Sequence, residues 1–312
     1  VDEFREGQPR AIKRVLSGKD CCVLLPTGYG KTLVFQVAGL VRPGLTLAVA
    51  PIKGLIDDLE RRYFQAGIDR VAALHSGRSF DKDTSAILHA GVSRQNAILV
   101  LVAPERLQIQ TFRNALEVAV EEGLVSLLVV DEMHCVSEWG HSFRVSYLRL
   151  GRNLRNLCRS DDDVPPPLLA MTGTASPGVL RDVIRELDID DTDPDAVQRT
   201  VDFDRPNLGY QMLVGLEAET FPLLRKAIVE EIPGHLGLEL QDLVEPRGED
   251  TVSGIIFVPW ARGDYGVAAV RKHLLSWLDE EGITVTAVDE DSGEEHEVPP
   301  TVDIYSGKHP FG

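Results

Sequence analysis

The sequence contains no long apolar run and only a few cysteines. No apolar run in its 312 residues approaches the ~20 that a membrane-spanning helix needs. Its four cysteines, Cys21, Cys22, Cys135 and Cys158, form no C-x-x-C pair and have no histidine at zinc-binding spacing. The first residues, VDEFREGQPR, are acidic and polar, unlike a secretory signal. These absences predict a cytosolic or nuclear protein with reduced, mostly buried thiols and no membrane contact.

Positive charge is also scarce. The chain has 32 Lys and Arg against 49 Asp and Glu, a net charge of −17, which argues against a simple electrostatic clamp around DNA. Residues 1–205 carry 25 Lys or Arg and 29 Asp or Glu, whereas residues 206–312 carry 7 and 20. The net charges of the two parts are therefore −4 and −13. The first part can still present a local basic face.

Short apolar runs alternate with amphipathic segments in the first part. The runs are nearly continuously apolar and predict strands buried on both faces, at residues 22–26, 45–51, 70–74, 97–104, 126–132 and 167–174. Helices are predicted between them, at residues 8–16, 31–41, 56–67, 111–123 and 178–187. This alternation predicts an α/β domain with a mostly parallel sheet, whose ligands bind at the carboxyl ends of the strands.

The pattern restarts around residues 205–209. Helices are predicted at 222–232 and 264–282, and strands at 253–259, 283–288 and 301–307. Two further stretches, 234–250 and 289–300, are predicted to be surface insertions, and the second is acidic and predicted to be mobile. The length of the chain and this restart predict two domains, 1–206 and 207–312.

The stretch LLPTGYGKT, residues 24–32, follows the first predicted strand and opens a helix. Gly28 and Gly30 allow the backbone to curl so that its N–H groups point at an anion. Lys31 is expected to reach the β- and γ-phosphates, and the Thr32 hydroxyl to ligate Mg²⁺. The strict phosphate-loop pattern has Gly where this chain has Leu25, so a glycine turn followed by a chance Lys-Thr pair is the alternative interpretation.

A pair of carboxylates, Asp131 and Glu132, closes a later predicted strand. A P-loop ATPase needs one acid there to hold Mg²⁺ through water and a second to orient and deprotonate the attacking water. Asp131 fits the first role and Glu132 the second. An isolated Asp-Glu pair after a strand is also a common helix cap. Its coincidence with the phosphate loop favours the ATPase interpretation.

From residue 4 to residue 307, in the order of its motifs, the chain resembles the RecQ family of superfamily 2 DNA helicases. The similar stretches are FREGQ (4–8), PTGYGKT (26–32), VAPIKGLIDDL (49–59), LVAPERL (101–107), DEMH (131–134), MTGTA (171–175), FDRPNLGY (203–210), GIIFV (254–258) and VDIYSG (302–307). The chain departs from the family at Gly173, where Ala is more usual, and at Glu138 and Ser142, where Gln and Asp are more usual.

The resemblance implies a P-loop RecA-like domain with a parallel sheet, followed by a partial second RecA-like α/β domain. It implies ATP and Mg²⁺ as cofactors and assigns roles residue by residue. The residues implied in nucleotide binding are Arg5, Gln8, Thr27, Gly28, Tyr29, Gly30, Lys31 and Thr32, with Arg5 and Gln8 at the adenine. The catalytic residues implied are Lys31, Asp131, Glu132 and His134, the metal ligands are Thr32 and Asp131, and the residues that couple ATP to DNA are Thr172 and Thr174.

The stretch CVSEWGHSFR, residues 135–144, resembles the aromatic-rich loop that follows the D-E-x-H box in this family. Trp139 and Phe143 offer flat apolar faces on which unstacked bases can lie, each worth ~1–3 kcal/mol. Arg144 can pair with a phosphate or stack on a base. With His141, these residues are the expected nucleic-acid contacts. The alternative is that the two aromatic side chains fill a core.

The resemblance implies an ATP-dependent DNA helicase that moves 3′ to 5′ on single-stranded DNA and unwinds duplexes, in DNA repair or recombination. Its location would be the bacterial cytoplasm at the nucleoid, or the eukaryotic nucleus. The alternatives are a DNA-stimulated translocase or remodeller that separates no strands, and a regulatory module that binds nucleotide without turnover. The expected partner is single-stranded and partly duplex DNA.

The arginine motif that completes ATP hydrolysis in such motors is not found in residues 206–312. We therefore expect the remainder of a longer chain, or a partner subunit, to supply it. Residues 1–312 alone are expected to bind ATP weakly, to hydrolyse it slowly and to separate no strands.

Overall fold

The computed structural model describes residues 3–76, 97–138, 147, 150–159, 164–200, 208–245, 251–252, 254–288 and 295–303. The chain divides into two compact units, Val1–Arg205 and Pro206–Gly312.

The first unit is built on a parallel sheet of seven strands in the order β3-β4-β2-β5-β6-β1-β7. The strands are β1 (Cys21–Leu24), β2 (Leu45–Val49), β3 (Val71–Leu74), β4 (Leu99–Val102), β5 (Val125–Val130), β6 (Leu168–Thr172) and β7 (Val197–Arg199). The six strands predicted in this part are confirmed, and almost all their residues are buried, as strands covered on both faces should be. The sequence pattern did not predict β7, because its three residues, Val-Gln-Arg, include a single apolar one.

Helices cover both faces of this sheet. They are α1 (Gln8–Leu16), α2 (Lys31–Val41), α3 (Lys53–Gln65), α4 (Gln110–Glu121), α5 (His134–Glu138), α6 (Leu150–Leu157) and α7 (Pro177–Glu186), with 3₁₀ turns at Pro104–Gln108 and Pro194–Ala196. Alternate residues of β1 show how the layers divide. Cys21 and Val23 belong to the core under α1, α2 and α3, and Cys22 and Leu24 to the core under α4 to α7. The thiols of all four cysteines are free and buried, as predicted.

The structure corrects one prediction next to the paired acids. Residues 135–138 were expected to lie in a loop, yet they belong to α5, whose first turn is closed by bonds from the Cys135 N–H to the Glu132 carbonyl (3.0 Å) and from the Val136 N–H to the Met133 carbonyl (3.0 Å). Cys135 and Val136 are buried, and this apolar side favours a helix packed on the core over an exposed loop. The remainder of the predicted loop, residues 139–144, lies outside the described residues.

The second unit contains a helical run, one long helix and one hairpin among its described residues. The run consists of α8 (Thr220–Lys226), a π-helical stretch (Ala227–Glu231) and α9 (Ile232–Leu236). The long helix is α10 (Val267–Glu280), and 3₁₀ turns lie at Glu217–Glu219 and Leu240–Leu243. Phe221 of α8 stacks on His273 of α10 with ring centroids 3.9 Å apart, and Trp277 meets Phe221 edge-on. Both helices predicted for this part are confirmed.

The strand predictions for the second unit succeed only in part. Residues 254–259, predicted as a strand, form none, and Ile255 and Phe257 are 79% and 90% exposed. A strand is stable only beside a neighbour, and no described strand pairs with this stretch. Residues 301–303, from another predicted strand, are not in a strand either, and residues 304–307 lie outside the described part.

The third predicted strand of this unit pairs with a segment expected to be mobile. Strand β8 (Val285–Val288) pairs antiparallel with β9 (Glu295–Val298), within the predicted insertion 289–300. The acidic composition of that insertion argued against regular structure, but the ladder needs only backbone groups, and Val298 opposite Val285 gives the hairpin an apolar pair. Throughout the described ranges, no helix has the length and apolarity needed to cross a membrane.

Candidate functional site

The polar side chains singled out in the sequence meet where β1, β5 and β6 end. Leu24 is in register with Thr172, and Val130 with Ala170, so these three adjacent strands finish at the same edge. The Leu25 N–H donates to the Thr172 carbonyl (3.1 Å) as the chain leaves β1. The segments after the three strands therefore lie side by side at the carboxyl edge of the sheet, where open α/β sheets bind ligands.

The segment after β1 has the shape of an anion-binding loop. Gly28 and Gly30 have φ angles of +80° and +83°, a left-handed conformation that glycine adopts without steric cost. Helix α2 starts at Lys31, directly after Gly30. The loop therefore leads into a helix N-terminus, where unpaired N–H groups and the helix dipole favour a negative charge.

Two side chains from the start of the chain hold this loop by its carbonyl groups. Arg5 Nη1 donates to the Gly28 carbonyl at 2.7 Å. Gln8 is buried, and its Nε2 donates to the carbonyls of Tyr29 (2.9 Å) and Gly30 (3.1 Å) while its Oε1 accepts from the Arg5 N–H (2.8 Å). Because C=O and N–H point in opposite directions across a trans peptide, the anchored carbonyls turn the Gly30 and Lys31 N–H groups to the other side, whereas the Tyr29 N–H donates to the Pro26 carbonyl (3.0 Å).

The segment after β5 turns sharply at the paired acids. The Asp131 N–H donates to the Val49 carbonyl of β2 at 2.9 Å, and the Glu132 N–H donates to Asp131 Oδ1 at 3.0 Å. Glu132 has a φ of +46°, which is uncommon for a residue with a side chain. Strained backbone of this kind persists where surrounding contacts fix it and is frequent at functional sites.

Glu132 is the centre of a polar network. Its Oε1 lies 3.3 Å from Lys31 Nζ, and its Oε2 lies 3.3 Å from His134 Nδ1. Thr172, the last residue of β6, donates its hydroxyl to Glu132 Oε2 (3.2 Å) and lies 2.7 Å from His134 Nδ1. The Thr174 N–H donates to the Thr172 hydroxyl oxygen at 3.1 Å. The network thus joins the segments that follow β1, β5 and β6.

The contacts in this network shift the pKa values of its members. The neighbouring Cys135 sulfur, 3.6 Å from His134 Nε2, and then Glu132 raise the pKa of His134 to about 10, so this imidazole carries a positive charge at neutral pH. Burial alone would raise the pKa of Glu132, but the bond to His134 and the charge of Lys31 lower it to about 2. Burial, followed by the charge of Glu132, raises the pKa of Asp131 to about 6.

The residue types present fit a magnesium-bound triphosphate. The described residues contain no cluster of three or more His, Cys, Asp or Glu side chains that could hold a metal by itself. Mg²⁺ is usually held in nucleotide sites by one or two protein oxygens together with phosphates and waters. Asp131, directly after β5, and Thr32, in the first turn of α2, have side-chain oxygens that can ligate the metal in this way.

The structure brings most of the predicted site residues together. Lys31, Glu132, His134, Thr172 and Thr174 form the network, and Arg5 and Gln8 hold the loop that contains Gly28, Tyr29 and Gly30. The predicted nucleic-acid contacts Trp139, His141, Phe143 and Arg144 lie outside the described residues.

Sequence reasoning gave no role to Gly173, the residue between the two coupling threonines. A Cβ atom at this position would stand 2.6 Å from Lys31 Nζ and 2.9 Å from Thr27 Oγ1. The signal in the sequence was the departure of MTGTA from the family pattern. Its meaning depends on the register of β1 and β6, which sequence spacing does not reveal.

Comparison with known proteins places this site in context. Residues 5–183, more than half of the chain, match the DEAD/DEAH box helicase family. The chain is 36% identical to "RecQ-like DNA helicase BLM" of Xenopus laevis over 216 residues, which is 68% of this chain and 15% of that protein. It is 34% identical to "Probable ATP-dependent DNA helicase RecS" of Bacillus subtilis over 209 residues, 67% of this chain and 38% of that one. The chain thus spans well under two thirds of the length of these relatives.

A solved structure shares the fold. The crystal structure of the DUF1998 helicase MrfA bound to DNA and AMPPNP superposes with a TM-score of 0.51 at 16% sequence identity, over 74% of this chain and 33% of that one.

Proposed function

Since the chain belongs to the DEAD/DEAH box helicase family, we propose that it is the ATP-hydrolysing core of a RecQ-type DNA helicase. The observation that carries this proposal is the network in which Lys31, Glu132, His134 and Thr172 join the phosphate loop to the ends of β5 and β6. The relatives named as RecQ-like and ATP-dependent DNA helicases support ATP as substrate and DNA as partner. Movement from 3′ to 5′, strand separation and a role in repair or recombination belong to the proposal, as does a location with the DNA in bacterial cytoplasm or eukaryotic nucleus.

In this proposal the phosphate loop binds the triphosphate of ATP. The N–H groups of Gly30 and Lys31 donate to phosphate oxygens, and the Lys31 ammonium group neutralises the β- and γ-phosphates. Asp131 and Thr32 are the side chains that would hold Mg²⁺, which neutralises phosphate charge when bound. Burial raises the pKa of Asp131 to about 6, and the charge of a bound Mg²⁺ would favour the ionised carboxylate that ligates it.

Glu132 is the proposed general base, which orients the attacking water and takes its proton. Such a base has to accept a proton at the moment of reaction, and the low pKa of Glu132 makes it a weak base while Lys31 and His134 contact it. Release of Lys31 to the phosphates would raise the basicity of Glu132. The proposed order is therefore nucleotide binding first and activation of the base second.

Arg5 and Gln8 have two proposed tasks. Both hold the loop carbonyls, and in the resembled family both contact adenine. All three polar groups of the Gln8 amide are already engaged: the two N–H groups with the loop and the carbonyl with Arg5. A bidentate contact between Gln8 and adenine therefore requires some of these bonds to be exchanged, which would let the base change the shape of the loop.

Coupling to DNA is proposed to run through His134 and Thr172. His134 lies in the first turn of α5, whose last described residue, Glu138, precedes the aromatic residues Trp139 and Phe143 in sequence. DNA stacked on those aromatic rings would displace α5. The 2.7 Å contact between His134 Nδ1 and the Thr172 hydroxyl would then transmit this displacement to Thr172 and Glu132.

A cationic group from elsewhere is part of the proposal. Three cations of the second unit already have partners among the described residues: Arg225 pairs with Glu281, Lys226 with Glu231 (2.8 Å), and Arg271 donates to the Val302 carbonyl (2.7 Å). We propose that a further segment of the protein or a partner subunit supplies the arginine that faces the γ-phosphate. Robust unwinding by residues 1–312 alone would contradict this part of the proposal.

Two parallel assays test the function. ATP hydrolysis is measured with and without single-stranded DNA, and strand displacement is measured on a duplex with a 3′ overhang. We expect slow hydrolysis that DNA stimulates, and the double variant Trp139→Ala/Phe143→Ala should keep the basal rate but lose most of the stimulation. No binding and no hydrolysis of ATP under any condition would refute the proposal. A stimulated ATPase that also fails to separate strands when the arginine-supplying segment is present would favour the translocase alternative.

A further inference from the structure

We propose that Gly173 is a positioning residue for the phosphate-loop lysine. Because Gly173 has no side chain, the ammonium group of Lys31 can rest against Glu132, and the triphosphate of ATP has to compete with Glu132 for this lysine. The inference rests on the proposed function, since the competing ligand is the ATP that the site is proposed to bind.

The ammonium group of Lys31 occupies the space next to Gly173 that a methyl group at this position would fill. Gly173 follows the last residue of β6, beside the start of the phosphate loop. A Cβ atom there would lie 2.6 Å from Lys31 Nζ, 2.9 Å from Thr27 Oγ1 and 3.3 Å from the Thr27 backbone nitrogen. Real Cβ atoms essentially never approach other atoms to less than 3.0 Å. The ammonium group thus occupies space that any side chain at position 173 would take.

The backbone does not require glycine at this position. Gly173 is not among the residues with positive φ, so an alanine can adopt its conformation. The two closest atoms, Lys31 Nζ and Thr27 Oγ1, are the ends of side chains that can rotate away. We therefore expect an alanine at position 173 to leave the fold intact and to displace the lysine.

The resting contact engages the proposed base as well as the lysine. Lys31 Nζ is 3.3 Å from Glu132 Oε1, and the two side chains keep only 11% and 27% of their exposure. The second oxygen of Glu132 is taken by His134 and Thr172. While Lys31 stays in place, both oxygens of Glu132 have partners, and a water molecule has to compete with them for the carboxylate. ATP binding would withdraw the lysine and free Oε1, so the substrate itself would uncover the base.

The test compares ATP affinity in four forms of the full 312-residue chain: wild type, Gly173→Ala, Glu132→Gln and the double variant. Each is titrated with a fluorescent, non-hydrolysable ATP analogue in the presence of Mg²⁺. Gly173→Ala should bind about three- to fivefold more tightly than wild type, as expected for the loss of a competing, partly buried ion pair. Glu132→Gln should also bind more tightly, because its amide carries no charge to hold the lysine. The double variant should gain nothing over Glu132→Gln alone.

The matched control is Gly178→Ala in the first turn of α7. A Cβ atom there would have no neighbour closer than 3.8 Å, so its affinity for the analogue should equal that of wild type.

Three results would overturn the inference. One is a folded Gly173→Ala variant with unchanged or weaker affinity, and another is the same gain from Gly173→Ala in the Glu132→Gln background. If melting curves show that Gly173→Ala does not fold, Glu132→Gln decides the matter, because unchanged affinity in that variant means that Glu132 does not compete. Failure of the wild type itself to bind the analogue would contradict the proposed function, and this inference with it.

Discussion

The two units differ in how far their apolar residues are buried. In the first unit the apolar strands are paired on a seven-stranded sheet, and Leu128 in β5 is fully buried. In the second unit, Met212 and Phe257 lie in apolar stretches, and their side chains are 85% and 90% exposed. The two strands described in that unit form a hairpin. The contrast shows that an apolar run becomes a strand only where neighbours complete its ladder. The polar site lies at the carboxyl ends of the paired strands β1, β5 and β6.

The strongest test of this contrast compares one core residue with one exposed residue. Leu128→Ala should lower the free energy of unfolding of the first unit by about 2–5 kcal/mol, because it removes buried methyl groups and leaves a cavity between β5 and its helices. Phe257→Ala, the control in the second unit, should change the free energy of unfolding by no more than about 0.5 kcal/mol. Denaturant unfolding followed by circular dichroism measures both, and equal losses would mean that Phe257 is part of a core.

The next effect concerns the site at the edge of the sheet. Lys31→Ala should weaken ATP binding by about 10- to 100-fold and abolish turnover, because the phosphates lose a charge-assisted bond worth roughly 1.5–3 kcal/mol. The fold should survive, since this side chain contacts a carboxylate and contributes little to the core. Lys19→Ala is a suitable control, because Lys19 is exposed and precedes β1, at the opposite edge of the sheet. Near-normal turnover in Lys31→Ala would refute the phosphate-loop assignment.

A smaller effect is expected in the pH dependence of stability. The pKa of His134 is about 10 in the folded chain against 6.5 as its ordinary value. A raised pKa stabilises the fold fully below pH 6.5, and this contribution is lost as the pH rises from 6.5 towards 10. In the wild type, the free energy of unfolding should therefore fall by about 1–2 kcal/mol over that range, a value reduced because solvent reaches the pair. His134→Gln should not show this fall.

The control for this prediction lies in the second unit. His235→Gln changes an exposed histidine of α9 and should leave the wild-type pH profile in place. Identical profiles for wild type and His134→Gln, measured by denaturant unfolding at pH 6.5, 8 and 9.5, would show that the histidine carries no stabilising charge.

The smallest effect on stability should come from the exposed apolar stretch. Ile255→Ser/Phe257→Ser should lower the fluorescence of a dye that binds apolar surface and leave the unfolding of the first unit unchanged within about 0.5 kcal/mol. Val41→Ser removes an apolar side chain that is 60% exposed in the first unit and serves as the control for an exposed apolar residue outside this stretch. Unchanged dye fluorescence in the double serine variant would show that this stretch is not an apolar binding surface.

Much of the first unit could be predicted because each of its signals is local. Six strands follow from continuous apolar runs, and Lys31 and Glu132 follow from their motifs. The contact between His134 and Thr172 could not be predicted, since the two residues are 38 positions apart and meet only through the register of β5 and β6. In the second unit, the apolar stretch from Gly254 to Pro259 looks like a strand in sequence, but sequence alone does not say which segment would pair with it.

The order of the strands also bears on how the first unit is made during synthesis. Strand β1 pairs with β6 and β7 and with no other described strand, so Cys21 finds its partner Leu169 about 150 residues later in the chain. At translation rates of about 5–20 residues per second, the first strand and the phosphate loop remain without β6 beside them for roughly 7–30 s. The hydrogen bond from Leu25 to Thr172 and the network at Glu132 form only once β6 has emerged from the ribosome. The proposed nucleotide site is therefore one of the last parts of the unit to assemble, and a chain interrupted before β6 would contain the first strand without this site.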